Sequence, residues 1–321
     1  MKKLWIYFTY LLPIVIFIFL FSKIGITEVA RVLKGVRPDL LFLGIVISLF
    51  SNLFLSTEKW RQILKSLGLK VPFKELLFVQ TGSIPLKTIS PLKSGMLFRA
   101  VYLNKTYNFP LLEGTYSLLL SLFLNLVAVT LFILGTSFSL GKNPHRFVYL
   151  LLLILFICLL LFWILRRENV SKIIGNYLDL WGGKFALSLK NLYESVITIN
   201  LRKLVILFFY AFLLIFFELL NFKILSKAVG LTIPFSQILL FASLTILISN
   251  LPVTIHGLGT REAAICLLFS SYATPEKLLS LGLTVSLVEY FFPILAGLFF
   301  TKSFLKRLSP LTLPSPFKGE D

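Results

Sequence analysis

Two arginines stand where this sequence could hold an anion. Arg261 lies in the stretch Pro252-Val253-Thr254-Ile255-His256-Gly257-Leu258-Gly259-Thr260-Arg261-Glu262-Ala263-Ala264, between the apolar runs 235–251 and 263–269. A glycine-rich turn that opens into a helix aims free backbone N–H groups outward, and a guanidinium beside them can grip a phosphate through two parallel bonds. Gly257 and Gly259 permit close backbone approach. Arg99, preceded by Lys93 and Gly95, repeats the pattern earlier in the chain. In a bilayer, broken backbone and charge persist only where protein buries them or water reaches them. The stretch is therefore expected to form a re-entrant hairpin with a polar tip, the other reading being a plain loop between two short spans.

Further chemistry is sparse. Glu262 follows Arg261 and has two readings, a structural ion pair or a coupling-proton site. Glu218 and Glu289 interrupt apolar helices, where an acid is costly and points to function unless Lys223 or Lys227 pairs with it. Arg99 also reads as an interfacial anchor, and Lys87 and Lys93 as solvated loop charges or the lining of a headgroup path. Asn52, Asn125 and Asn250 read as helix glue. His145 and His256 have no Cys or Asp cluster beside them, so no metal is expected. No nucleophile–base spacing, phosphate loop or dinucleotide fingerprint appears, so neither a cofactor nor an enzyme activity is expected.

The elements that must carry these residues are membrane helices. Hydrophobic residues make up 57% of the 321, Phe alone numbers 33, and mean hydropathy is +0.90. Apolar stretches of about 20 residues recur, the length that crosses a bilayer. The expected class is an all-α polytopic membrane protein. Full spans are read at 4–22, 39–57, 111–135, 147–165, 203–222 and 278–301, with hairpins at 73–105 and 235–273. Residues 26–36 read as an interfacial helix. The membrane domain is read as 1–301, followed by a disordered cytoplasmic tail, 302–321. The net charge of +18 fits basic loops facing anionic headgroups rather than nucleic acid. Cys158 and Cys266 fall in apolar runs and imply no disulfide.

The chain also repeats itself. At an offset of 162, Gly68-Leu69-Lys70-Val71-Pro72-Phe73 falls on Gly230-Leu231-Thr232-Ile233-Pro234-Phe235, and Gly95 and Arg99 fall on Gly257 and Arg261 without a gap. Two repeats follow, about 1–140 and 141–301. With the N-terminus inside, 22 of the 32 Lys and Arg lie on the cytoplasmic side, as the positive-inside rule requires. Three full spans per half then make the halves inverted, with the first hairpin entering from the cytoplasm and the second from outside. That arrangement is a transporter signature.

Residues 257–264 resemble the Gly-(Leu)-Gly-x-Arg-Glu-(Ala) signature of the lysylphosphatidylglycerol synthase transmembrane-region family, also called flippase-like domain proteins. Pro91-Leu92-Lys93-Ser94-Gly95-Met96-Leu97-Phe98-Arg99 resembles a second family feature, Pro-x-(Lys/Arg)-x-Gly-Glu-x-x-Arg, and Trp60-Arg61-x-x-Leu64 and Gly68 also fit. The resemblance covers residues 1 to about 301. Met96 stands where the family usually has Glu, which puts any role of that acid in doubt here. Bifunctional members carry a soluble aminoacyl-transfer domain after the membrane region, whereas this sequence ends about 20 residues past the last span. The resemblance thus implies the flippase-like part without lipid lysylation.

The expected function is a flippase-like transporter in the cell membrane, moving an anionic phospholipid or lipid-linked glycan between leaflets. Arg99, Arg261, Gly95, Gly257, Gly259 and Lys93 would bind the substrate, and Glu262, Glu218 and Glu289 would couple ions or pair charges. The alternative is a non-transporting scaffold for lipid- or glycan-pathway enzymes. A membrane-embedded transferase lacks an evident base, and a homo-oligomer stays open.

Overall fold

The computed structural model describes residues 2–139, 200–251 and 254–308, with side chains described for all but 2–9, 91–93, 138–139 and 201. The expected span 147–165, the junction of the two repeats and residues 309–321 lie outside the described residues. Every regular element described is helical. The protein is an all-α polytopic membrane protein.

Helix α1 (Lys2–Ile24) turns into α2 (Ile26–Lys34) through 87° at Gly25, whose φ is 89°. Among the described residues, four helices are long and apolar enough to cross a bilayer: α3 (Pro38–Ser66), then residues 111–137 within α7 (Leu111–Ser139), 202–228 within α8 (Leu201–Ala228), and α11 (Pro275–Leu308). The bent α1–α2 pair is a fifth candidate. Between them lie the broken pieces α4 (Phe73–Gly82), α5 (Ile84–Ile89) and α6 (Leu97–Tyr107) of the first hairpin, and α9 (Phe235–Asn250) and α10 (Thr260–Leu268) of the second. Several boundaries differ from expectation, α7 and α8 running on to Ser139 and Ala228. The basic segment 58–65 continues α3, because Lys, Arg, Gln and Glu are good helix formers and Arg61 reaches back to Glu58 at 2.8 Å. The last helix runs past 301 to Leu308, its end held by Lys105 Nζ donating to the Leu308 carbonyl at 2.5 Å.

The repeated motif has a physical basis. Gly68 and Gly230 adopt φ of 89° and 78°, ending α3 and α8 in the left-handed half of φ that glycine tolerates. Leu69 N–H then reaches the Leu64 carbonyl at 2.9 Å, and Leu231 N–H reaches Ser226 at 2.9 Å, the six-to-one bond of a Schellman cap. Pro72 (φ −59°, ψ 142°) and Pro234 (φ −58°, ψ 141°) start the next helices in the same geometry. The hairpins then cross over: α4 packs on α11 and α9 packs on α7.

Two spans carry a π turn, Phe50–Leu55 in α3 and Leu287–Phe291 in α11. Pro293 has no N–H for the Glu289 carbonyl and its ring crowds that turn, which widens α11. In α3, the Ser51 hydroxyl and the Asn52 amide both donate to the Ser48 carbonyl at 3.1 Å, competing with the backbone ladder. The spans' outer faces carry exposed Phe42, Phe54, Leu119, Phe209 and Phe299, the surface that lipid tails solvate.

Candidate functional site between the hairpin tips

Arg99 sits in the first turn of α6 and is only 7% exposed. Its Nε donates to Ser83 Oγ at 2.6 Å and Nη1 to Gln80 Oε1. Gln80 is held with its oxygen toward the arginine because its amide nitrogen donates to Ser56 Oγ at 2.7 Å. Trp60 lies beneath, 5.8 Å from the guanidinium carbon, and itself donates to Ser117 Oγ at 3.0 Å. Nη2 is buried without a partner. An unpaired guanidinium N–H buried inside a protein is expensive to keep, and a water or an anion could satisfy it. Met96, in place of the family's glutamate, is buried in the core at 8% exposure and offers no charge.

The second tip is built differently. His256, Gly257 and Gly259 take φ of 55°, 77° and 79°. Glu262 accepts the Gly259 backbone N–H at 2.7 Å, closing the entry into α10, and its other oxygen accepts the Ser286 hydroxyl at 2.5 Å. Glu262 thus shapes the turn that presents Arg261. Arg261 is 5% exposed, donates to Tyr290 Oη and to Ser286 Oγ (3.4 Å), and lies 4.1 Å over the Tyr290 ring. The His256 ring meets the same tyrosine edge-on at 4.5 Å. Helix α1 backs this tip so closely that a Cβ on Gly259 would lie 3.1 Å from Ile16 Cβ.

The 3-10 turns Pro91–Met96 and Ile255–Gly257 pack against each other. Beside them opens a cavity of about 540 Å³, lined by Gln80, Arg99, Asn125, Glu218, Arg261 and Glu289 among others. Four of the charges expected from the sequence therefore meet at one space. Gly95, Gly257 and Gly259 form its tips, and Glu262 lies behind Arg261. Lys93 contributes backbone to the first tip, and its side chain lies outside the described atoms. Lys87 and His256 also border the cavity.

Charge is divided across it. The first hairpin brings Lys87 and Arg99, and α8 and α11 bring the two carboxylates. The charges of Glu262, Glu218 and Glu289 all reach Arg261. Glu289 accepts Ser48 Oγ and Asn52 Nδ2 at 3.0 Å each on one oxygen, and Asn221 Nδ2 on the other. Lys223, expected as a partner for an acid, instead donates to the Ile233 carbonyl. Lys59, 1% exposed, donates to Asn125 Oδ1 at 2.6 Å and to the Ser121 carbonyl at 3.1 Å. Gln80, Ser48, Asn221, Tyr290 and Lys59 escaped the sequence reading. Their only signal was polarity inside apolar helices, which Ser and Asn share with ordinary helix glue.

The UPF0104 membrane protein MJ1595 of Methanocaldococcus jannaschii is 22% identical to this chain over 325 residues, covering 92% of this chain and 95% of that protein. The profile of the lysylphosphatidylglycerol synthase TM region matches residues 5–297. With the paired tips, the buried arginines and that match over most of its length, the chain belongs to the lysylphosphatidylglycerol synthase TM region family.

Proposed function

We propose that the protein moves lipids bearing an anionic, phosphate-containing headgroup between the leaflets of the cell membrane. The observation that carries this reading is Arg99: it is buried, held by Ser83 and Gln80, keeps a buried Nη2 without a partner, and lines a cavity that it shares with Arg261. A phosphate there would gain charge-assisted bonds from both arginines while acyl chains stay in the bilayer. The two halves are taken as inverted repeats, supported by the matching Gly68 and Gly230 caps and the crossed packing of α4 on α11 and α9 on α7. Rocking of one half against the other would then expose the cavity to each side in turn.

The test is transbilayer movement of fluorescent phosphatidylglycerol in proteoliposomes, with phosphatidylcholine alongside. Wild type should speed the anionic lipid. Arg99→Ala and Arg261→Ala should each slow it at least about tenfold, the loss of a charge-assisted hydrogen bond. Arg99→Lys should fail as well, since an ammonium keeps the charge but cannot span Ser83 and Gln80 while also facing the cavity. Wild-type vesicles that match empty ones for both lipids would defeat the proposal.

A further inference from the structure

Anion binding at Arg99 and Arg261 does not by itself require Glu289, yet Glu289 is built into the cavity wall with unusual care. It projects from the π turn of α11 and meets Asn52 in the π turn of α3. The Ser48 hydroxyl has a single proton and two acceptors, Glu289 Oε2 and the Val288 carbonyl, each at 3.0 Å. The Asn52 amide likewise has Ser48 O at 3.1 Å and Glu289 Oε2 at 3.0 Å within reach. With Glu289 ionised, Ser48 and Asn52 donate to it. With Glu289 protonated, its O–H can donate to Ser48 Oγ while Ser48 turns its proton to Val288. Every partner stays satisfied in both states, so the carboxyl can gain or lose a proton without unfolding its surroundings.

Glu262 has no such alternative among the described hydrogen bonds. A protonated Glu262 could keep the Gly259 N–H on one oxygen, but the Ser286 hydroxyl that donates to the other also accepts from Arg261 and has no second acceptor to turn its proton to. The charged or titratable groups that share a cavity with Glu289 are Glu218 from α8, Arg261 from α10, His256 from the second tip, and Tyr290 beside it on α11. Helix α3 brings only the neutral Ser48 and Asn52, α9 brings Thr245, and Lys87 and Arg99 stand across the cavity. A second, smaller cavity of about 20 Å³ touches Glu218, Glu289 and Arg261, room for one water.

We propose that Glu289 binds a coupling proton, taken up from cavity water when an anionic headgroup occupies Arg261, so that lipid and proton cross together. The proposal rests on the transport reading above. Before substrate arrives, the carboxylates offset the arginine. A phosphate brings further negative charge into the same low-dielectric space, and protonating one carboxylate restores the balance. Release of the headgroup on the far side frees Arg261, and the proton leaves by the same cavity.

The experiment uses the full chain in phosphatidylglycerol vesicles, with fluorescent phosphatidylglycerol in one leaflet and a pH-sensitive dye inside. An imposed pH difference of about one unit should displace the steady-state lipid distribution about tenfold toward the alkaline side, the limit for one proton per lipid. The dye should report proton entry that depends on lipid movement. Glu289→Gln, a permanently neutral isostere, should move lipid without protons and without response to the gradient. Wild-type lipid movement that ignores the gradient, while Arg261→Ala still abolishes it, would overturn the coupling and leave the transport reading standing. Loss of the response in Glu218→Gln but not in Glu289→Gln would overturn the assignment to Glu289. No lipid movement in wild type under any gradient would overturn both readings. The wild-type gradient response decides whether proton and lipid are coupled even where a variant fails to fold.

Discussion

A Cβ placed on Gly95 would lie 2.2 Å from the carbonyl oxygen of Leu86, and one on Gly257 would lie 2.8 Å from that of Ser249. In each half the glycine before the arginine closes its hairpin against the end of the preceding arm. The obstructing atoms are backbone and cannot swing aside, and Gly257 also needs φ of 77°. Gly95→Ala and Gly257→Ala should each destabilise the protein by on the order of 1–3 kcal/mol, the usual range for overpacking, and lower the melting temperature in detergent. Unchanged melting in both would mean that the tips do not close as described.

Glu262 acts through hydrogen bonds to Gly259 and Ser286. A glutamine can still accept the Gly259 N–H, so Glu262→Gln should keep most of the stability and lipid movement. Glu262→Ala removes the acceptor and should cost about 1–2 kcal/mol, with lipid movement falling alongside. The melting temperatures and transport rates of the two variants separate these effects. A Glu262→Gln protein that folds normally yet is as inactive as Arg261→Ala would show that the negative charge itself is required.

Inversion of the halves has a direct check at Lys70 and Thr232, which occupy the same place in the two Gly-Leu-x-x-Pro turns and are both exposed. In a background without Cys158 and Cys266, Lys70→Cys and Thr232→Cys should react with a membrane-impermeant thiol reagent from opposite sides, Lys70→Cys from the cytoplasm. Labelling of both from one side would remove the inverted repeat and with it the rocking mechanism.

Arg307 donates to Glu75 at 3.0 Å and to Tyr102 Oη at 3.2 Å, tying the end of α11 to the first hairpin. The side chains are 53% and 25% exposed. Solvent and the entropy of a long side chain leave such a pair worth at most about 1 kcal/mol. Arg307→Ala should thus shift thermal stability little, and a loss of several kcal/mol would reveal a deeper role for its packing over Phe78, whose ring centre lies 4.5 Å away.

The repeat was legible in the sequence, and the structure showed what it encodes. Gly-Leu-x-(Val/Ile)-Pro-Phe encodes a cap, a reversal and a helix start within a few neighbouring residues, and both copies fold alike. The helix starts at Arg99 and Arg261 were visible for the same reason. The π turns were not. They arise where Ser51 and Asn52 compete for one carbonyl, and where Pro293 removes an N–H from a helix that composition alone reads as continuous. Glu262 was legible as a residue beside Arg261. Its use as a cap depended on the φ of Gly259 and on Ser286, which belongs to another helix.

By itself the sequence determined that the protein lives in a membrane, roughly where the helices of the described residues fall, and that two glycine–arginine segments mark its polar tips. Those properties follow from hydrophobic run length and from backbone conformations decided within a turn or two of chain. Only the tertiary structure decided that Arg99 and Arg261 share a cavity and that Glu289 is held by Ser48, Asn52 and Asn221. Ser48 and Glu289 are 241 residues apart. Such contacts come from how the helices pack against one another, and no local pattern records which polar side chain will meet which.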